Sequence, residues 1–312
     1  MRSTENPKAT IAWIGLGIMG GPMASNLVRA GHTVLGVDPS EQARTQAGEA
    51  GVHLSESVAD AVRSAHVVFT MLPTGDHVKT VLDGPDGVWQ NAPRGALIID
   101  ASTVDVSLSR WCHEESRIRG FDFIDAPVSG GGPGAAAGTL TVMVGGTAEV
   151  LDRAEPVLAP LASSVIRAGG PTAGIAAKIC NNMMLFTCLM ATAEGSQLAQ
   201  HLGLDPQVFW EIASVSSGSS WPLKTWYPVP GVVETAPANR NFAPNFPVQG
   251  ALKDMTLALA AGQETGVNLP AARLAADQFQ TLIDEGLAGR DCSLIAKLAS
   301  PTGAIAGFDE NK

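Results

Sequence analysis

Apolar positions in the first 168 residues fall in short, nearly continuous runs. "TIAWIG", "TVLGVD", "HVVFTML", "ALIIDAS", "FDFIDAP" and "LTVMVGG" alternate with segments of helical spacing. Runs this short and this apolar predict strands covered on both faces, and the helical segments between them predict βαβ units. A doubly wound, parallel sheet follows. Beyond "VIRAGGPTAG" the rhythm changes, and Ala/Leu/Met-rich segments at about 174–202, 205–218, 247–266 and 270–287 predict an all-helical half. The Gly/Pro cluster from Gly169 to Gly174 marks the joint, which divides the chain into an α/β domain over 1–172 and an all-α domain over 173–312. The run from Ser216 to Pro247 is rich in Pro, Gly and aromatic residues, and predicts a structured loop over a site.

The first strand runs straight into "GLGIMG". Gly15, Gly17 and Gly20 stand between strand and helix with Leu16, Ile18 and Met19 among them, and Asp38 ends the next strand. In that setting the spacing has a mechanical reading. One glycine makes the tight turn, the next lets backbone approach a pyrophosphate, and the third packs the helix close. Asp38 would accept hydrogen bonds from a ribose, and "DPSEQ" places no arginine beside it, so NAD is expected over NADP. The N-terminal domain therefore reads as a Rossmann domain. Leu72, Pro73 and Thr103, at the ends of strands three and four, would line the nicotinamide side.

"DAPVSGGGPGAAAGTL" also follows a strand. Ser129 and the backbone N–H groups of Gly130, Gly131 and Gly132 could cradle a carboxylate, against the alternative that these glycines serve turn geometry alone.

One helix raises a sharper question. "GIAAKICNNMMLFTCLMATA" carries a single charge, Lys178, and at helical spacing Gly174, Lys178, Asn181 and Asn182 share a face. No acid lies within helical reach, so burial would favour the neutral amine, a form able to exchange a proton with a hydroxyl or carbonyl. The competing reading is a lysine snorkelling at a helix start.

Composition narrows the classes. A net charge of -10 with no basic run argues against nucleic acid and an anionic membrane. Asn181 and Asn182 interrupt the apolar helix, which favours burial in protein over a membrane span. Cys112, Cys180, Cys188 and Cys292 lack metal-ligand spacing, and the N-terminal residues lack a secretory core, so a cytoplasmic setting with reduced thiols and no metal is expected.

"GLGIMGGPMASNL", "DAPVSGG", "GIAAKICNN" and "ALKDMTLA" resemble, in that order, the signatures of the β-hydroxyacid dehydrogenase family, from about residue 10 to residue 300. The resemblance implies a Rossmann domain, a long interdomain helix, an all-α second domain and NAD-linked oxidation of a β-hydroxyl on a carboxylic acid. Lys178 would be the catalytic acid/base, Asn182 with Asn181 would position substrate, and Ser129, Gly130 and Gly131 would hold its carboxylate. Lys253 would reach the nicotinamide from the second domain, and Asp254 would orient that lysine or cap its helix. "WYPVPGVVETAPANRNF" is similar to members that oxidise 3-hydroxyisobutyrate to methylmalonate semialdehyde, which implies a place in valine breakdown. Phe242, Phe246, Trp221 and Trp226 are candidates for the pocket wall, against the alternative that they pack the loop's own core. A related member acting on tartronate, succinate or a sulfonated semialdehyde is the near alternative; a sulfonate or a second carboxylate would want an arginine, and Arg240 is the one arginine in that loop. A non-catalytic NAD sensor is the alternative from another class; a homodimer or homotetramer is expected.

Overall fold

The computed structural model describes residues 8–310 of the 312-residue chain. Contacts divide it into two compact units, one ending at Lys178 and one beginning at Ile179.

The first unit holds strands β1 (Thr10–Ile14), β2 (Thr33–Val37), β3 (His53–Leu54), β4 (Val67–Thr70), β5 (Leu97–Asp100), β6 (Asp122–Asp125), β7 (Val128–Ser129), β8 (Leu140–Gly145) and β9 (Ala162–Gly169). Their order is β3-β2-β1-β4-β5-β6-β8-β7, with β9 on β8. Pairing is parallel from β3 through β6, and the order reverses between β1 and β4, the position where doubly wound sheets bind ligands. The expected all-parallel sheet needs one correction. β8 runs antiparallel to β6 and β7. The link from Gly130 to Thr139 is shorter than the dozen or so residues of a parallel crossover, so the chain returns the other way. β9 is missing from the strand pattern because most of its positions are exposed.

Helices α1 (Gly20–Arg29), α2 (Glu41–Glu49), α3 (Val58–Val62), α4 (Gly75–Asp83), α5 (Val88–Asn91), α6 (Val106–Ile118), α7 (Gly131–Ala137) and α8 (Ala148–Leu158) accompany the sheet. Within the core Trp13 stacks on Phe69 with ring centroids 4.6 Å apart. Its buried indole N–H donates to the Gly15 carbonyl at 2.9 Å. Core packing thereby fixes the first glycine of the turn.

α9 (Ala173–His201) leads from the first unit into the second, which continues with α10 (Pro206–Val215), α11 (Trp221–Thr225), α12 (Val248–Thr265), α13 (Pro270–Asp284) and α14 (Ala296–Ala299). By length and composition α9 could cross a membrane, with a window of mean hydropathy 1.3 that is 44% buried in the protein. Phe186 on α9 packs edge-to-face on Phe279 of α13 and against Phe246. The long loop before α12 has a core of its own around Leu223, Tyr227 and Val229. Buried Asp291 pins its far end by accepting from the backbone N–H groups of Asn245 and Phe246.

Candidate active site

The glycine turn is shaped by contacts within the first unit. Gly15 has φ +99°, and a Cβ there would lie 2.2 Å from the Met71 carbonyl oxygen; one on Gly20 would lie 1.9 Å from that of Gly15. Gly17 differs, since among the described residues no atom lies within 4 Å of a Cβ placed there. α1, with Met19 as its N-cap, has no capping side chain and no acid in its first turn; its Gly21 N–H donates to the Gly17 carbonyl oxygen at 3.0 Å, and Pro22 has no N–H to offer. Leu16 is buried, Met19 half-buried and Ile18 exposed.

At the end of β2, the Asp38 carboxylate accepts from the backbone N–H groups of Leu16 (2.7 Å) and Ser40 (2.8 Å). One expectation is corrected here. An arginine does stand beside Asp38: Arg44, one turn into α2, donates to the Asp38 carbonyl oxygen at 3.1 Å. A helix folds that side chain back onto the strand end, a contact that the neighbouring residues "DPSEQ" do not contain.

Leu72 is half-buried, Pro73 exposed and Thr103 half-buried. The Leu72 N–H donates to Ser102 Oγ, and both the Thr70 hydroxyl and the Ser102 N–H donate to Asp100 Oδ1. Sequence reasoning missed this bracing. Burial raises the Asp100 carboxyl from 3.8 to about 6, opposed by those hydrogen bonds and assisted by the nearby Asp125.

Ser129 ends β7 half-buried, and Gly130 (φ +135°) and Gly131 (φ +63°) follow in backbone conformations that side chains resist. A Cβ on Gly132 would come within 3.5 Å of Ile18 Cγ2, so this second glycine-rich turn adjoins the first. The pair brings the candidate carboxylate cradle beside the candidate pyrophosphate turn.

Lys178 is 8% exposed and Asn182, one turn on along α9, 1%. Asn181 is exposed, off the buried stripe, and donates to Asn182 Oδ1 at 3.1 Å. In the second unit Asn182 Nδ2 donates to Asp254 Oδ2 at 2.6 Å. Asp254 therefore holds Asn182 rather than capping α12, while its Oδ1 lies 3.4 Å from the half-buried Lys253 ammonium. The four aromatics divide. Phe242 is fully buried with Ala238 and Leu294, and Trp226 is buried beside Phe186, so these two pack core; Phe246 is half-buried against Phe186. Trp221 remains half exposed, edge-on to Trp226. Arg240 is exposed and donates to Asn245 Oδ1.

Residues 10–170 match the family described as the NAD binding domain of 6-phosphogluconate dehydrogenase, and residues 172–299 the one described as NAD-binding of NADP-dependent 3-hydroxyisobutyrate dehydrogenase. An NAD-dependent L-serine dehydrogenase of Pseudomonas aeruginosa is 41% identical over 292 residues, 94% of this chain and 98% of its own. The chain belongs to the β-hydroxyacid dehydrogenase family. Another relative, a 3-hydroxyisobutyrate dehydrogenase of the same species, is 41% identical over 92% of this chain and 97% of its own. The solved structure of Mycobacterium tuberculosis 3-hydroxyisobutyrate dehydrogenase with L-serine has a TM-score of 0.86 at 42% identity, covering 93% and 99% of the two chains. As a β-hydroxyacid dehydrogenase the protein is an oxidoreductase and takes NAD(P). The structure fits that cofactor at Gly17, where the chain's own packing gives no reason for a glycine and close passage of a pyrophosphate does.

Proposed function

We propose that this dehydrogenase oxidises 3-hydroxyisobutyrate with NAD, using Lys178 as the acid/base. The observation that carries the proposal is a lysine 8% exposed as the lone charge between Gly174 and Ala193 on α9, one turn before a buried asparagine whose amide is already fixed by Asp254. Ser129 and the N–H groups of Gly130 and Gly131 receive the substrate carboxylate. Lys178, in its amine form, removes the proton from the primary hydroxyl, and Asn182, with Asn181 on its oxygen, orients that hydroxyl. Bound NAD supplies the hydride acceptor. Leu72, Pro73 and Thr103 would line the nicotinamide side, Lys253 would contribute a cofactor contact from the second unit, and Asp38 would take the adenosine ribose.

A second reading is L-serine, the substrate printed for one relative and the compound in the solved Mycobacterium structure. Both molecules are carboxylic acids with a primary β-hydroxyl, and differ at the central carbon, methyl in one and ammonium in the other. Steady-state oxidation of the two, with NAD and with NADP, decides between them. 3-Hydroxyisobutyrate with the higher kcat/KM supports the first reading; L-serine with the higher value replaces it. The free thiols of all four cysteines favour a cytoplasmic setting, and the exposed apolar residues of α9 and α10 favour a homo-oligomer.

A further inference from the structure

Asp125 is fully buried at the end of β6, yet none of the steps above uses it. Its carboxylate is engaged on every side. Oδ1 accepts from the Thr172 N–H at 3.0 Å and lies 2.7 Å from His113 Nε2, while Oδ2 accepts from the Ile175 N–H at 2.8 Å. Thr172 and Ile175 flank the first residues of α9, so a side chain from the sheet accepts from N–H groups at the start of that helix. His113 is held in turn by an edge-on contact with Phe123, centroids 4.8 Å apart.

Three further features show that this junction is built to close tolerance. A Cβ on Gly174 would lie 2.4 Å from the Met143 carbonyl oxygen and 2.8 Å from that of Asp125. One on Gly145 would lie 2.6 and 2.7 Å from the two Asp125 carboxylate oxygens. Thr172, a β-branched residue, sits at φ +71°, a conformation it resists and that persists only where its surroundings impose it. The Asp125 carboxylate captures the N–H of that very residue.

We propose that Asp125, braced by His113, is the positioning residue for Lys178: it clamps the first turn of α9 to the sheet and so sets where the amine stands. Ile175 precedes Lys178 by three residues, about 4.5 Å along a rigid helix, and any slip of the cap is passed to the lysine undiminished. Proton transfer is sensitive to such slips, since a displacement of about 1 Å can cost on the order of 100-fold in rate. This inference rests on the acid/base reading of Lys178.

The test is a double-mutant cycle on the full chain, read by single-turnover hydride transfer, by steady-state KM and by NAD binding. Asp125→Asn keeps the shape of the side chain but turns an amide donor toward donors. It is expected to lower the rate about 10- to 100-fold, to change KM far less, and to leave NAD affinity within about twofold. In the Lys178→Ala background the same change should alter the residual rate by no more than about twofold, because the group it positions is gone. An equal loss in both backgrounds, or no loss in the native background, overturns the positioning role and leaves the acid/base reading standing. Lys178→Ala with near-native turnover overturns both. Should Asp125→Asn not fold, His113→Phe takes its place in the cycle: it retains the ring and the Phe123 contact, removes the brace, and is expected to show a smaller loss with the same dependence on Lys178.

Discussion

At the scale of single residues, two carboxylates in the first unit do different work because their surroundings differ. Asp38 is half-buried, with its charge satisfied by two backbone N–H groups and Arg44 at its back, and in the proposed site it takes the ribose. Removing the carboxylate by Asp38→Ala should therefore do more than weaken NAD. With Arg44 available to a 2'-phosphate, the ratio of kcat/KM for NADP to that for NAD should rise by about tenfold or more, and Arg44→Ala in the same chain should cancel the rise. Steady-state kinetics with both cofactors checks this, and an unchanged ratio in the single variant counts against the ribose contact. Asp100 is enclosed, and burial lifts its carboxyl from 3.8 in the unfolded chain to about 6 in the folded one. Folding thus favours the protonated form, and the stability this contributes is present below about pH 4 and lost as pH rises through about 6. Asn at this position accepts the same two hydrogen bonds without a charge. Denaturant unfolding from pH 4 to pH 7 should find the native chain losing stability relative to Asp100→Asn across that interval, and a constant difference would contradict it.

Among elements, the junction of β6, β8 and α9 carries the largest expected cost for a small change. Gly174→Ala should destabilise the protein by about 1–3 kcal/mol, because its methyl group has backbone oxygens on two sides and nowhere to move; urea unfolding measures the loss. Much of this level was legible in the sequence. Helices predicted at about 247–266 and 270–287 lie at Val248–Thr265 and Pro270–Asp284, since long apolar periodicity survives tertiary context. The glycine turn was readable for a similar reason, as its geometry is local. What escaped depends on residues far apart in the chain. Nothing near Asp125 announces that it caps a helix some fifty residues later, nothing near Asp254 that it fixes Asn182, and Arg44 meets Asp38 only once α2 has formed. The antiparallel turn of β8 escaped as well, because alternation of apolar residues is blind to strand direction.

For the whole molecule, a net charge of -10 keeps copies apart except where apolar surface outweighs it. Leu198 on α9 and Leu202 just past its end, with Val208, Ile212 and Val215 on α10, are exposed, and α10 has no buried residue at all. A charge placed there should weaken self-association: Ile212→Glu is expected to shift the protein toward monomer in light scattering coupled to size exclusion, with an unchanged mass locating the interface elsewhere. The activity of the molecule, in this account, comes down to one amine on α9. The direct test is single-turnover oxidation of 3-hydroxyisobutyrate at saturating NAD by the native chain and by Lys178→Ala. A loss of about 10²- to 10⁴-fold with NAD binding intact is the predicted result, and turnover within a few-fold of native would contradict the account.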